Sequence, residues 1–168
     1  KDLASAPPEM IAAGLGDFVA KSVSALDWKM NHILFGEAFC ARCIDIIHPA
    51  EARILGNPTG LKECDPTAVT RLFEGLLLAG IGMSMAETSA PASGGEHLIS
   101  HTLDMKAAVD GRTHALHGRQ VGIGTIIAAA LYEAVLKAPM PPETGALGRP
   151  PAFDAGYWGQ LADAVRPH

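Results

Sequence analysis

The sequence predicts an all-α fold, and three observations carry that expectation. The 168-residue chain is 48% apolar but only 5% aromatic, so its core must be aliphatic, which favours closely packed helices over sheets. Apolar residues recur at helical spacing in long runs. Alternation of apolar and polar residues never extends beyond about four positions, which leaves no half-buried strand.

The elements follow in order. Ala6-Pro7-Pro8-Glu9 reads as a helix start, because a proline in the first turn removes an amide that has no partner there. Met10, Ile11, Leu15, Phe18, Val19 and Leu26 then recur at helical spacing to about Met30. A break or kink is expected near Asp17, where Gly14 and Gly16 interrupt the run. A second helix is expected from about Ile33 to Leu55, closed by the turn residues GNPTG (56–60). Asp65-Pro66 sets a capping side chain before a proline at the first helical position. The run that follows, TAVTRLFEGLLLAGIGMSMAE (67–87), is apolar nearly all round. It should be a central buried helix, with Gly75, Gly80 and Gly82 permitting close helix approach.

TSAPASGG (88–95) reads as a loop with little to pack. A short helix is expected from Glu96 to about Met105, then a turn, DGRTHAL (110–116), and a long apolar helix from about His117 to Lys137. PMPPETGALGRPPAF (139–153) marks a Pro/Gly-rich connector over 138–154, with one more helix from Ala155. The whole, 1–168, reads as a single helical domain.

Net charge is −5 with no long run of either sign, which argues against nucleic acid as a partner. Cys40, Cys43 and Cys64 do not form a secreted disulfide framework. Cys40 and Cys43 make a CxxC, which invites a redox or zinc reading, but it sits in an apolar run without a second pair, and buried inert thiols on one helix face are expected. No stretch begins like a signal peptide, and Glu or Lys interrupts the apolar runs, so no membrane span and a cytoplasmic setting are expected. The chain starts without Met, and LADAVRPH (161–168) stops inside a helical pattern, so a piece of a longer polypeptide is expected.

Four of the seven histidines, His97, His101, His114 and His117, fall within one short stretch. His97 and His101, four apart, share a helix face, and His117 opens the next helix. Two imidazoles from separate helices make half of a zinc site, and a carboxylate would complete three ligands with an open position. Asp17 is a candidate, because a bare carboxylate in an apolar helix is costly. Each residue also has a structural reading: His97 and His101 as a polar stripe, His114 as a turn residue, His117 as a local cap, Asp17 as a cap after a kink. An HExxH metalloprotease is excluded, since Leu98 stands where the general-base Glu belongs, and Glu96 is not placed for that role. No GxSxG supports a serine triad.

GLGDFVAK (14–21), DW (27–28), PASGGEHLISH (91–101) and HGRQVGIGT (117–125) together resemble the C-terminal helical domain of sn-glycerol-1-phosphate dehydrogenases. These belong to the superfamily of iron-containing alcohol dehydrogenases, glycerol dehydrogenase and dehydroquinate synthase. The ordered set covers most of residues 6–137. The resemblance implies metal ligands at Asp17, His97 and His117, with Asp17 and His101 meeting the substrate and His101 assisting proton transfer. It implies zinc, with nickel or iron as alternatives, and a small phosphorylated ketone, dihydroxyacetone phosphate, reduced by NAD(P)H to glycerol 1-phosphate. It also implies a homo-oligomer. The NAD(P)-binding N-terminal domain of such enzymes has no counterpart here, so 1–168 alone is expected to be inactive. Alternatives are a glycerol or polyol dehydrogenase, a dehydroquinate synthase-like cyclase, or a non-catalytic helical interaction module.

Overall fold

The computed structural model describes residues 5–139 and 155–159. These form nine helices: α1 Pro8–Val19, α2 Lys21–Phe35, α3 Ala41–Asp45, α4 His48–Leu55, α5 Pro58–Lys62, α6 Pro66–Ala86, α7 Gly95–Val109, α8 His117–Lys137 and α9 Ala155–Trp158. No strand occurs among the described residues, so the fold is all-α as the sequence predicts. The chain divides into two compact units, 1–137 and 138–168. The second contributes α9, which starts at Ala155 as expected. Most of the predicted connector lies outside the described residues.

Within the first unit, α1 is the hub. It packs chiefly along α8, which in turn packs on α7, and its other side meets α6. The helices α3, α4 and α5 also cover α6. The core between them is aliphatic apart from one ring: Ile11 and Phe18 of α1 meet Ile47, Ile54, Val69 and Leu72. Phe18 is completely buried.

Several expectations are corrected. The first helix does not break near Asp17; it runs through Gly14 and Gly16 and is interrupted only at Ala20. A helical glycine costs about 1 kcal/mol relative to Ala, but Gly16 makes a close crossing that a larger residue would forbid. A Cβ built on Gly16 would lie 2.1 Å from the Gly118 carbonyl oxygen, and one on Gly118 would lie 1.9 Å from that of Ala13. The backbones of α1 and α8 therefore touch at these residues.

The single helix expected over 33–55 is three pieces. Helix α2 ends at Gly36, which takes the left-handed conformation (φ 72°) and donates its N–H to His32 O, a common glycine C-cap. Pro49 then falls in the first turn of α4, where its missing N–H is harmless. Trp28 fastens the intervening segment by donating its indole N–H to Ala38 O at 2.8 Å. GNPTG is not only a turn: Asn57 caps α5, accepting from Gly60 N at 3.0 Å.

Asp65 does cap α6, accepting from Ala68 N at 2.9 Å. That helix is buried on one face only, through Ala68, Val69, Leu72, Gly75, Ala79 and Gly82, while Phe73, Leu77, Ile81 and Met85 are exposed. Gly75 and Gly82 are close-approach sites, against Phe18 and the Cys43 carbonyl, but Gly80 faces open space. The loop before α7 packs more than its composition suggests, since Pro91 and Ala92 are buried. Helix α7 runs past Met105 to Val109, and α8 spans the expected residues.

Helices α6 and α8 are each long and apolar enough to cross a membrane, with mean hydropathy 1.3. Length and composition are the whole of that signal, and each helix packs one face against other helices of this unit.

Candidate metal centre

The site grows from the two places where α8 is approached most closely. Gly16 precedes Asp17 and Gly118 follows His117, so the α1–α8 crossing sets these two side chains beside each other. A second close approach brings α7 in: a Cβ on Gly124 would lie 2.5 Å from the Glu96 carbonyl oxygen, and Glu96 precedes His97. Three helices thus deliver Asp17, His97 and His117 to one point, each from a position next to a backbone contact.

Their ligand atoms all lie within 4.8 Å of one another. His97 Nε2 is 3.2 Å from Asp17 Oδ1, and His117 Nε2 is 3.9 Å from the same oxygen. Ligands held tetrahedrally at ordinary zinc distances stand about 3.4 Å apart, so the donor set fits a divalent cation with small adjustments.

The hydrogen bonds behind these three side chains suit the same chemistry. Glu96, wholly buried, accepts from His97 Nδ1 at 2.7 Å, and its Oε1 also takes the Gly94 N–H at 2.8 Å. An ionised carboxylate can only accept, so Nδ1 carries a proton and Nε2 faces Asp17. Ser100 donates its hydroxyl hydrogen to Gln120 Oε1 at 2.9 Å. Its oxygen is then the acceptor for His117 Nδ1–H at 3.0 Å, which again leaves Nε2 toward Asp17. Gln120 continues the chain by donating to Asp104 at 2.9 Å. Both imidazoles therefore have Nδ1 occupied and Nε2 turned toward the shared point, the arrangement that outer partners impose on metal-binding histidines.

Asp17 is oriented too. Lys21, one turn on and itself buried, donates to Asp17 Oδ2 at 3.2 Å and to Ala92 O at 2.9 Å, which leaves Oδ1 for the two histidines. The start of α7 is held by Asp27, whose Oδ2 accepts from Gly95 N at 2.6 Å and whose Oδ1 accepts from the Tyr132 hydroxyl. This substitutes for the side-chain cap that Gly94 cannot supply.

Charge states follow from these contacts. Burial raises the Asp17 pKa, but the His97 hydrogen bond and the Lys21 ammonium outweigh it and hold it below the ordinary value. Glu96 behaves alike, with burial overcome by the bonds from His97 and Gly94 N. For His97, burial favours the neutral ring, yet its bonds to Asp17 and Glu96 prevail and raise its pKa. Burial and then the neighbouring His97 lower that of His117. The opposite shifts of His97 and Asp17 favour a charged hydrogen bond between them.

The other histidines divide. His101 is exposed and stacks on His117, with ring centroids 5.7 Å apart and planes 21° apart, and it meets His97 edge-on at 6.1 Å. It belongs to the imidazole cluster but not to the trio of converging ligand atoms. His114 stays in the turn, 3.3 Å from Asp104. Sequence reasoning missed Glu96, Lys21, Asp27 and Ser100 as supports. The usable signals were Lys21 four residues after Asp17, and an acid beside His97 in the first turn of its helix. The cysteine expectation fails in part: Cys43 is buried, Cys64 is intermediate, and Cys40 is exposed.

No family model matches the chain. It is similar to several curated proteins, all named glycerol-1-phosphate dehydrogenase (NAD(P)+). Identity is 36% over 131 residues to that of Halalkalibacterium halodurans, covering 78% of this chain and 33% of the relative. It is 37% over 128 residues to that of Pyrococcus furiosus (76% and 36%). It is 35% over 130 residues to that of Bacillus subtilis (77% and 33%). The chain spans about a third of the length of these relatives and aligns with their C-terminal part. Over most of its own length, then, this chain is a homologue of the glycerol-1-phosphate dehydrogenases.

Proposed function

We propose that this chain is the metal-binding catalytic portion of a glycerol-1-phosphate dehydrogenase, reducing dihydroxyacetone phosphate to sn-glycerol 1-phosphate in the cytoplasm. The observation that carries the reading is the convergence of Asp17, His97 and His117 from three helices, in a chain homologous to enzymes of that name. Asp17 Oδ1 and the two Nε2 atoms would hold the ion, with zinc first and nickel or iron as alternatives, since such N and O donors discriminate weakly. When bound, the ion would act as a Lewis acid on the ketone oxygen and stabilise negative charge there.

The chain's own residues do the rest. Glu96 and Ser100 fix the histidine rings, and Lys21 fixes Asp17, so the ligands are set before substrate arrives. His101, exposed beside His117, is placed to hydrogen-bond a substrate hydroxyl or phosphate oxygen and to supply the proton that the reduced oxygen requires. Asp17 is the second group at the substrate's side. Hydride would come from NAD(P)H, held by a nucleotide-binding unit outside the described helices, and self-association of the enzyme belongs to the same reading.

Full-length protein should be assayed with dihydroxyacetone phosphate and with unphosphorylated dihydroxyacetone. The expected result is a clear kcat/KM preference for the phosphorylated ketone, reduced by His101→Ala. Preference for the unphosphorylated ketone would move the protein to a polyol dehydrogenase, and absence of turnover with either would remove the dehydrogenase reading.

A further inference from the structure

The CxxC pair lies away from the metal ligands, at the head of α3, and the proposed function makes no use of it. Its two thiols stand in opposite surroundings. Cys40 is exposed, in extended backbone just before the helix (φ −127°, ψ 105°), while Cys43 is completely buried. The Cys43 N–H donates to the Cys40 carbonyl at 3.1 Å, closing a four-residue turn. Such a turn keeps its end Cα atoms within about 7 Å, and a disulfide needs about 4.4–6.8 Å. The sulfurs can therefore bond without dismantling the helix.

We propose that Cys40 and Cys43 are a reversible redox site, closed to an intramolecular disulfide by exchange with a low-molecular-weight disulfide such as oxidised glutathione. Cys40 is the attacking thiol because a reagent can reach it. Its thiolate forms a bond to one sulfur of the reagent, whose S–S bond breaks to release one thiolate. Cys43, having lost its proton, then attacks Cys40 Sγ and expels the second reagent thiolate. The two cysteine sulfurs are oxidised, and the reagent disulfide is reduced to two thiols, so electrons balance. Cys64, between α5 and α6, takes no part.

The electrostatics follow the same division of labour. The Cys43 backbone N–H and then its thiol favour the Cys40 thiolate and hold its pKa below the usual thiol value. Burial, and then the hydrogen bond to Cys40, push that of Cys43 up. A thiolate is the nucleophile in exchange, so attack begins at Cys40 and Cys43 resolves the mixed disulfide. Cys43 is also fixed in place, since its carbonyl oxygen lies against Gly82 of α6.

The reduced 168-residue chain, freed of metal by a chelator, should be equilibrated with mixtures of reduced and oxidised glutathione. It is then quenched with an alkylating agent and mapped by peptide mass spectrometry. The expected result is a Cys40–Cys43 disulfide that grows with the oxidised fraction, while Cys64 remains alkylated. In Cys43→Ser, glutathione should stay on Cys40 as a mixed disulfide. If that variant does not fold, Cys43→Ala serves the same purpose, and the wild-type map stands by itself. The proposal is overturned if Cys40 keeps glutathione in the wild-type chain without closing, or if no Cys40–Cys43 bond forms at any ratio. Metal at Asp17, His97 and His117 enters neither outcome.

Discussion

Toward α6, helix α1 presents Ile11 and Phe18 to an aliphatic cluster that includes Val69 and Leu72. Toward α8 it presents bare backbone at Gly16, with Asp17 next in sequence. The first face stabilises by removing apolar surface from water, roughly 25 cal/mol per Å², and tolerates changes of shape that keep its volume. The second fixes a distance, because at Gly16 and Gly118 no side chain stands between the helices to give way. Stability and site geometry are thus carried by different faces of one helix.

Substitutions on the two faces should separate accordingly. Gly118→Ala puts a methyl 1.9 Å from the Ala13 carbonyl oxygen, a backbone collision that a rotamer change cannot relieve. It should cost about 3 kcal/mol or more and should also abolish metal affinity, because α1 must move away from α8. Leu72→Ala, on α6 in the cluster that covers the other face, should cost about 2–5 kcal/mol yet leave the affinity of the folded fraction near that of wild type. Urea unfolding together with metal titration measures both quantities. Equal loss of affinity in the two variants would remove the distinction between the faces.

Much of this was legible in the sequence, for identifiable reasons. Asp65-Pro66 marks its helix start by local chemistry, and the four-residue spacing of His97 and His101 survives as a shared helix face. The breaks at Gly36 and Pro49 were written in the residues too, but the apolar periodicity across 33–55 concealed them. What the sequence could not supply is which partner a glycine faces. Gly16 looks like a helix breaker until Gly118 is placed against it, and Gly80 looks like a packing site until open space is found beside it. Glu96 was set aside for want of a catalytic position, because its role depends on a bond to its own neighbour, His97, that spacing does not reveal.

A smaller effect concerns pH, and it should run in opposite directions with and without metal. In the metal-free chain, the raised pKa of His97 gives stability that is present below its ordinary value of about 6.5 and is lost as pH rises through the raised one. The lowered pKa values of Asp17 and Glu96 give stability present above the ordinary carboxylate value of about 4 and lost as pH falls through the lowered ones. His97, Asp17 and Glu96 together should therefore stabilise most between about pH 4 and 6.5. His117, whose pKa is lowered, opposes them as pH falls below the ordinary histidine value. Metal affinity should instead rise with pH over the His97 titration, since the ion must displace a proton from Nε2. Unfolding of the metal-free chain across pH, set beside metal titrations at the same values, sharpens the contrast. Parallel trends would contradict it.

In the proposed function α1, α7 and α8 converge to hold one divalent ion on Asp17, His97 and His117. The direct measurement is zinc titration of the metal-free chain against a competing chelator, with helix content followed by circular dichroism. A single tight site is expected in wild type, lost in both His97→Ala and His117→Ala while helix content is kept. Absence of a site in wild type, or unaltered affinity in the two variants, would contradict it.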